Sequence, residues 1–181
     1  MATAVRPFTG TYDIDPVHSS VQFAVEHIVS TFRASFDEIA GCLRMDDSET
    51  TLAASAVVES ISIADPPEFR EHVVNGEDFF QAHAHPQLTF HSDRIDLGDD
   101  GTARVVGELT IRGVTRALAA EGSYRTPTRD PFGTERAALH LSATLDRRDW
   151  DLSFQLPLPD GGDAVGWEVE VTANLELIRA T

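Results

Sequence analysis

The sequence predicts an all-β fold in which antiparallel strands form a sheet or barrel with one apolar face. The first observation is strict alternation near the C-terminus, where apolar residues occupy the odd positions from Val165 to Leu177. Successive side chains of a strand point to opposite faces, so this run has one apolar and one polar face. The second observation is that turn-forming residues separate similar runs along the chain. Such one-sided strands are typical of antiparallel rather than buried parallel sheets.

The same alternation predicts the individual strands, and the runs at 39–45 and 53–61 are the weaker ones. In chain order, the runs lie at residues 20–26, 39–45, 53–61, 104–111, 118–124, 139–145 and 165–177. Turn sequences such as Asp99-Asp100-Gly101 and Arg112-Gly113 stand between them. Residues 66–81 do not alternate and open with two prolines, which predicts a short helix and an irregular connection.

Length and composition predict one domain at residues 11–181, preceded by an N-terminal tail at residues 1–10. A chain of 181 residues can bury one core, and no repeat or linker divides it. Asp and Glu outnumber Lys and Arg by 30 to 14, which gives a formal net charge of −16. Such a surface repels phosphate backbones, so we expect no nucleic-acid partner.

The lengths of the apolar runs and the number of cysteines predict the cellular compartment of the protein. The first ten residues contain no apolar run long enough for a signal peptide, and no stretch approaches a membrane span. Cys42 is the only cysteine, so no disulfide can form within the chain. We therefore expect a cytoplasmic protein with no stable membrane insertion.

The pair His83 and His85, flanked by His72 and His91, is the strongest metal candidate. Residues i and i+2 of a strand share a face, and imidazole suits zinc, iron or copper. A cupin-type site also needs a Glu shortly after the pair, and residues 86–90 contain none. The sequence therefore predicts no metal and no cofactor, and a cupin-like enzyme using His83 and His85 remains as an alternative.

Nucleophilic catalysis has two candidate groups. Cys42 lies on an alternating run, where a small thiol usually serves packing. Ser19 is adjacent to His18 and close to Asp15, but no Gly-rich turn or strained elbow surrounds the serine. We predict that this segment is a polar turn entering a strand, and the sequence indicates no catalytic residue.

Two further features each allow two interpretations. Arg147 and Asp149 are spaced to share a strand face. Either the two side chains form a structural ion pair, or Arg147 binds the anionic head group of a ligand at a barrel mouth. The adjacent Phe79 and Phe80 either plug an edge of the core or close a hollow barrel as a lid.

Several spaced motifs follow one another in a fixed order. They are Asp15-Pro16-x-His18-Ser19-x-Val21-x-Phe23-x-Val25-x-His27, Arg70-x-His72, Asp78-Phe79-Phe80, Gly107-x-Leu109-Thr110-Ile111-x-Gly113-Val114-Thr115-Arg116 and Asp146-Arg147-x-Asp149-Trp150. Together they resemble the YceI-like family over residues 11–178, which is nearly the whole chain. Asp151 stands where that family usually has glycine.

The resemblance implies an extended, antiparallel, lipocalin-like β-barrel whose apolar pore holds a long isoprenoid chain. It also implies a homodimer, since some relatives form one. Independently of the resemblance, an eight-stranded barrel is only just wide enough to be packed solid or to hold one ligand. The apolar parity includes small residues, namely Gly107, Ala120, Gly122, Ala143 and Ala173. If these face inward they leave a channel, whereas the alternative is that they only fit the taper of a solid barrel.

We therefore predict an eight-stranded barrel that binds, stores or transports a long-chain isoprenoid lipid, of the polyprenyl or isoprenoid quinone type, without enzymatic turnover. The predicted wall residues are Val21, Phe23, Val25, Phe90, Leu109, Ile111, Leu118, Leu141, Trp167 and Val169. The predicted closing residues are Phe79, Phe80 and Trp150. A solid-cored dimeric interaction module is the second alternative.

Overall fold

The computed structural model describes residues 6–181, which form ten β-strands, one α-helix and two short 3-10 helices. The strands are β1 Gly10–Ile14, β2 Ser20–His27, β3 Ser30–Phe36, β4 Ile39–Met45, β5 Thr50–Val57, β6 Gln87–Leu97, β7 Thr102–Ile111, β8 Val114–Arg129, β9 Glu135–Asp146 and β10 Val165–Arg179. The helix α1 is Pro67–Asn75, and the 3-10 helices are Val58–Ser60 and Arg147–Trp150. Residues 1–5 of the predicted tail lie outside the described residues.

Eight of these strands close into an antiparallel barrel in the order β1, β4, β5, β6, β7, β8, β9 and β10. The ring closes where β1 meets β10, with Tyr12 opposite Arg179 and Ile14 opposite Leu177. The predicted eight-stranded, lipocalin-like barrel is thereby confirmed. Strands β1, β3 and β6 lie outside the runs from which strands were predicted.

The hairpin β2–β3 extends the barrel beyond β1 at one end. Strand β2 pairs with the first part of β10 and β1 with its last part, so β1 and β2 lie along the same edge of β10. Strand β3 pairs with β2, and one isolated bridge joins Phe36 to Ile61.

Helix α1 packs beside β3, where the ring of Phe69 lies edge-on to Phe32 with centroids 6.1 Å apart. A helical segment within residues 66–81 is therefore confirmed. Pro67 suits the first helical position, since its missing N–H would have no partner there. No helix of residues 6–181 combines the length and apolar character needed to cross a membrane.

The barrel is packed solid at the end where β1 meets β10. Tyr12, Met45, Leu177 and Val105 are at most 1% exposed there. Each lies on the apolar face of its strand, so alternation directs all four into the same space. Removing these side chains from water supplies the main stabilisation of this half of the molecule.

Two glycines at positions predicted to face inward do not open the channel as predicted. A Cβ atom on Gly107 would collide with the carbonyl oxygen of His91, and one on Gly122 with that of His140. Both partners lie on adjacent strands, so glycine is needed here for the close approach of two backbones. Neither residue lines the cavity described below.

Candidate binding cavity

A cavity of about 680 Å³ occupies the other half of the barrel. Its volume lies within the range of small-molecule binding sites, roughly 300–1,000 Å³. Apolar side chains form most of its wall, and the exceptions are Gln22, His27, Ser55, Thr89, Ser142 and Arg147. Eleven predicted site residues line it, namely Val21, Phe23, Val25, Phe79, Phe80, Phe90, Leu109, Ile111, Leu118, Leu141 and Val169.

The space exists because small residues occupy inward positions on neighbouring strands. Ala120 of β8, Ala143 of β9 and Ala173 of β10 all line the cavity. Ala143 lies opposite Val171 and Ala173 opposite Leu141, so a short side chain stands beside a larger one on each strand pair. The cavity ends towards the packed half, since Tyr12, Met45 and Leu177 are not among its lining residues. The predicted channel is therefore a pocket with a solid floor.

The mouth lies between the turn after β2, helix α1 and the connection leading to β10. Ile28, Leu156 and Phe69 line the cavity and are 57%, 57% and 38% exposed. The N–H of Ile28 donates to the carbonyl of Ala164 at 2.8 Å, and the N–H of Ala164 donates to that of Leu156 at 2.9 Å. These two bonds hold the turn and the connection together as one apolar rim.

Phe79 and Phe80 take separate positions. One plugs an edge of the core and the other lies beside the mouth of the cavity, so each of the two predicted interpretations describes one residue. Phe80 is 9% exposed and packs edge-on against Phe36 at the edge of the core. Phe79 stacks on Phe154 with ring centroids 4.8 Å apart, and both rings line the cavity. Phe79 and Phe154 thus form an aromatic pair beside the mouth.

His72 of helix α1 packs against both rings of this aromatic pair. The ring of His72 lies edge-on to Phe79 and Phe154 at 5.1 and 5.2 Å, and its Nε2 lies 2.9 Å from Oδ1 of Asp78. The N–H of Phe154 donates to the carbonyl of Asp78 at 3.1 Å. Phe154 was not predicted as a site residue. The alternation of Leu152, Phe154 and Leu156 is the signal that could have found it.

The two tryptophans do not line the cavity, which corrects their predicted roles. Trp150 is 2% exposed, and its Nε1–H donates to the carbonyl of Leu109 at 2.9 Å, so it is a core residue behind the wall. Trp167 lies where the pairing of β10 with β2 shifts register between Val165 and Val169. The shift breaks the alternation, and the Nε1–H of Trp167 donates to Asp163 at 2.9 Å.

Arg147 does not form the predicted clasp with Asp149. Its Nε, Nη1 and Nη2 donate to the backbone carbonyls of Gly166, Leu152 and Val165 at 2.8, 2.6 and 3.3 Å. The residue is 5% exposed, and burial lowers the pKa of its guanidinium. Arg147 therefore fastens the connection 151–164 to the start of β10 and also lines the cavity.

The segment Asp15–Ser19 is a polar turn, as predicted, and it belongs to an ion cluster outside the cavity. Asp15 is 6% exposed and lies 2.7 Å from Nδ1 of His18 and 2.9 Å from Nη1 of Arg136. The hydrogen bond from His18 and then that from Arg136 lower the pKa of Asp15 to about 2. Ser19 donates to the carbonyl of Glu176 at 3.2 Å and accepts from its N–H at 2.9 Å, so the hydroxyl is bonded to β10.

The potential metal ligands do not match the predicted alternative. His83 and His85 lie in the connection before β6, and not on one strand face, because β6 begins at Gln87. Within residues 6–181 the single group of three close ligand side chains is Asp15, His18 and Glu176. The guanidinium of Arg136 donates hydrogen bonds to both carboxylates of that group, so its positive charge occupies the place that a metal ion would take.

The model of the YceI-like domain matches residues 12–177 of this chain. UPF0312 proteins from Staphylococcus aureus strains MSSA476 and N315 are each 27% identical over 168 residues. Each alignment covers 91% of this chain and 95% of the relative. The matched region includes the whole of strands β2 to β9.

Solved structures share the fold at lower sequence identity. BcnA of Burkholderia cenocepacia has a TM-score of 0.71 and 18% identity, with 93% of this chain and 99% of BcnA covered. The YceI protein of Campylobacter jejuni has a TM-score of 0.69 and 18% identity, with 84% and 88% covered. A polyisoprenoid-binding domain from Saccharophagus degradans, implicated in plant cell wall breakdown, has a TM-score of 0.67 and 12% identity, with 96% and 100% covered.

Proposed function

This chain belongs to the YceI-like domain family, and from that premise we propose that it binds a long-chain isoprenoid lipid without covalent chemistry. The observation that carries the proposal is the apolar cavity of about 680 Å³, which is closed by the packed half of the barrel and rimmed by exposed apolar side chains. The polyisoprenoid-binding domain of Saccharophagus degradans has the same fold, which supports the choice of lipid class.

An apolar wall, a packed floor and a mouth with an apolar rim support a linear apolar molecule with one end at the mouth. Burying ~400 Å² of lipid tail would give about 10 kcal/mol of gross stabilisation. Association and chain ordering cost on the order of 4–15 kcal/mol, so the net affinity depends on the length of the tail that fits. A modest net affinity is compatible with storage or with transfer between two sites.

The chemistry of the wall supports binding rather than turnover. Beyond Arg147 and His27, the polar lining residues are Gln22, Ser55, Thr89 and Ser142, which are neutral. General acid–base catalysis needs titratable groups placed at the reacting atoms. His27 lies exposed at the end of β2, and Arg147 is bonded to three carbonyls.

The alternatives have less support. The cupin-like enzyme needs His83 and His85 on one strand face, and the connection before β6 does not provide one. The interaction module needs a solid core, whereas half of this barrel is hollow. The homodimer stays a prediction, which light scattering of the purified protein would test.

The experiment is native mass spectrometry of protein purified from its own host, followed by titration with prenols of increasing length. We expect a bound lipid at a one-to-one ratio, and affinity that rises with prenol length until the cavity is filled. Protein that carries no lipid and takes up no prenol of any length would overturn the proposal.

A further inference from the structure

Arg147 is a buried cation beside an apolar cavity. It begins the 3-10 helix Arg147–Trp150, is 5% exposed, and lines the cavity. Its guanidinium lies 4.1 Å from the ring centroid of Trp167, which covers one face of the group. Its hydrogen-bond partners are the neutral carbonyls of residues 152, 165 and 166. These contacts fix the guanidinium in place without neutralising its charge.

The neighbouring carboxylates of Asp146 and Asp163 attract the Arg147 guanidinium from beyond salt-bridge distance, but burial outweighs their attraction and lowers its pKa. Asp146 pairs with Arg148, with 2.5 Å between Oδ2 and Nη2. Asp163 accepts a hydrogen bond from Trp167. Within residues 6–181, no carboxylate oxygen lies within 4.0 Å of the Arg147 guanidinium. A buried charge without such a counter-ion is costly, and an anion brought by a ligand would offset that cost.

The guanidinium also retains unused donors. Arginine has five N–H groups, and the three bonds to carbonyls use one on each nitrogen. One N–H on each terminal nitrogen is therefore left over. Oxygens of a phosphate or a carboxylate are the acceptors that suit a guanidinium best, because the hydrogen bonds are charge-assisted.

We propose that Arg147 determines specificity for lipids that carry an anionic oxygen head group, a phosphate or a carboxylate, at the mouth end of the cavity. The inference rests on the proposed lipid-binding function and adds a preference among lipids. A prenyl phosphate is one source of the head group, and a long-chain carboxylic acid is the other. An alcohol of the same chain fills the cavity equally well but brings no negative charge to Arg147.

The test compares three ligands of equal chain, geranylgeranyl phosphate, geranylgeranoic acid and geranylgeraniol, titrated into the wild-type protein below their micelle concentrations. We expect one or both anionic lipids to bind at least about tenfold more tightly than the alcohol. Selectivity for the phosphate alone or for the acid alone identifies the source of the head group. Equal affinity for all three overturns the inference and leaves the proposed function standing, whereas no binding of any lipid overturns both.

Two variants locate the selectivity. Arg147→Gln is expected to bring the affinity ratio close to one. Arg116→Gln is the matched control, because Arg116 is exposed, does not line the cavity, and carries the same charge. Selectivity that survives in folded Arg147→Gln, or that is lost in Arg116→Gln, contradicts the assignment.

Arg147 also fastens the connection to β10, so Arg147→Gln can fail to fold. The NMR signal of the Arg147 Nε–Hε group in the wild type then supplies the readout. That signal is expected to shift with the anionic lipid that binds and to stay in place with the alcohol. No shift with a bound anionic lipid overturns the inference without any variant.

Discussion

Asp151 holds a left-handed backbone, with φ 58° and ψ 25°, directly after the 3-10 helix Arg147–Trp150. Its N–H donates to the carbonyl of Arg148 at 3.0 Å, so the turn that the family usually makes with glycine is present here with aspartate. A left-handed conformation costs an ordinary residue about 1–2 kcal/mol, and aspartate less than most. The sequence identified the unusual residue, but it could not show that the backbone turn is preserved.

Asp151→Gly is expected to raise the free energy of unfolding by about 0.5–1 kcal/mol, because the side chain no longer opposes a positive φ. Urea denaturation of the two proteins measures the difference. Asp149→Gly is the control, since residue 149 lies within the 3-10 helix and is not among the positive-φ residues. That change should lower stability. A less stable Asp151→Gly protein would show that the turn does not oppose a side chain.

The carboxylate of Asp15 makes stability depend on pH. Hydrogen bonds from His18 and Arg136 lower its pKa from 3.8 to about 2. Because the folded-state pKa lies below the unfolded one, this group stabilises the fold above about pH 4. The contribution, about 2 kcal/mol, is lost as the pH falls towards 2.

Asp15→Asn is expected to reduce stability at pH 7 and to flatten the loss of stability between pH 4 and 2. Thermal unfolding across that range measures both effects. Asp47→Asn removes the same charge from an exposed position and should leave the acid slope unchanged. An equal slope in the wild type and Asp15→Asn would show that other groups control the acid transition.

At the scale of elements, alternation predicted strands well only where the register is continuous. The run at 39–45 coincides with β4, and the inward parity of β7, β8 and β9 is as predicted. Register shifts in β6 between Ser92 and Arg94, and in β10 beside Trp167, break the two-residue period. A bulge inserts residues without a clear sequence signal, which is why β6 was missed and Trp167 was misplaced. Strand β3 does alternate, at Phe32, Ala34 and Phe36, so its pattern is sufficient to predict it.

The connection 151–164 carries the second half of the aromatic pair at the mouth. Phe154→Ala removes the ring that stacks on Phe79. Such a pair is worth about 0.5–1.5 kcal/mol beyond its buried area, so bound lipid should dissociate roughly 2–10 times faster. Stopped-flow displacement of a fluorescent long-chain lipid measures the rate. Phe132→Ala is the control, because that ring is 94% exposed at a distant turn. An unchanged rate would mean that the pair does not retain the ligand.

For the whole molecule, closure of eight strands determines both stability and the binding space. The ring encloses a small interior. Large side chains fill this interior around Tyr12, whereas small side chains leave it open around Ala143. The alternation of apolar residues could predict which side chains face inward. It could not predict which half of the interior is packed and which is hollow, because that depends on which residues meet across the barrel at the same height.

This division predicts opposite results for one substitution in the two halves. Ala143→Phe places a ring in the cavity, so we expect a change in stability of less than about 1 kcal/mol and at least about a tenfold loss of lipid affinity. Ala137 is 3% exposed and does not line the cavity, so Ala137→Phe should cost about 1–3 kcal/mol by overpacking and retain binding while folded. Chemical denaturation and lipid titration of both variants separate the two effects. If Ala143→Phe were as destabilising as Ala137→Phe, the interior around Ala143 would be packed in solution and the space for a lipid would be absent.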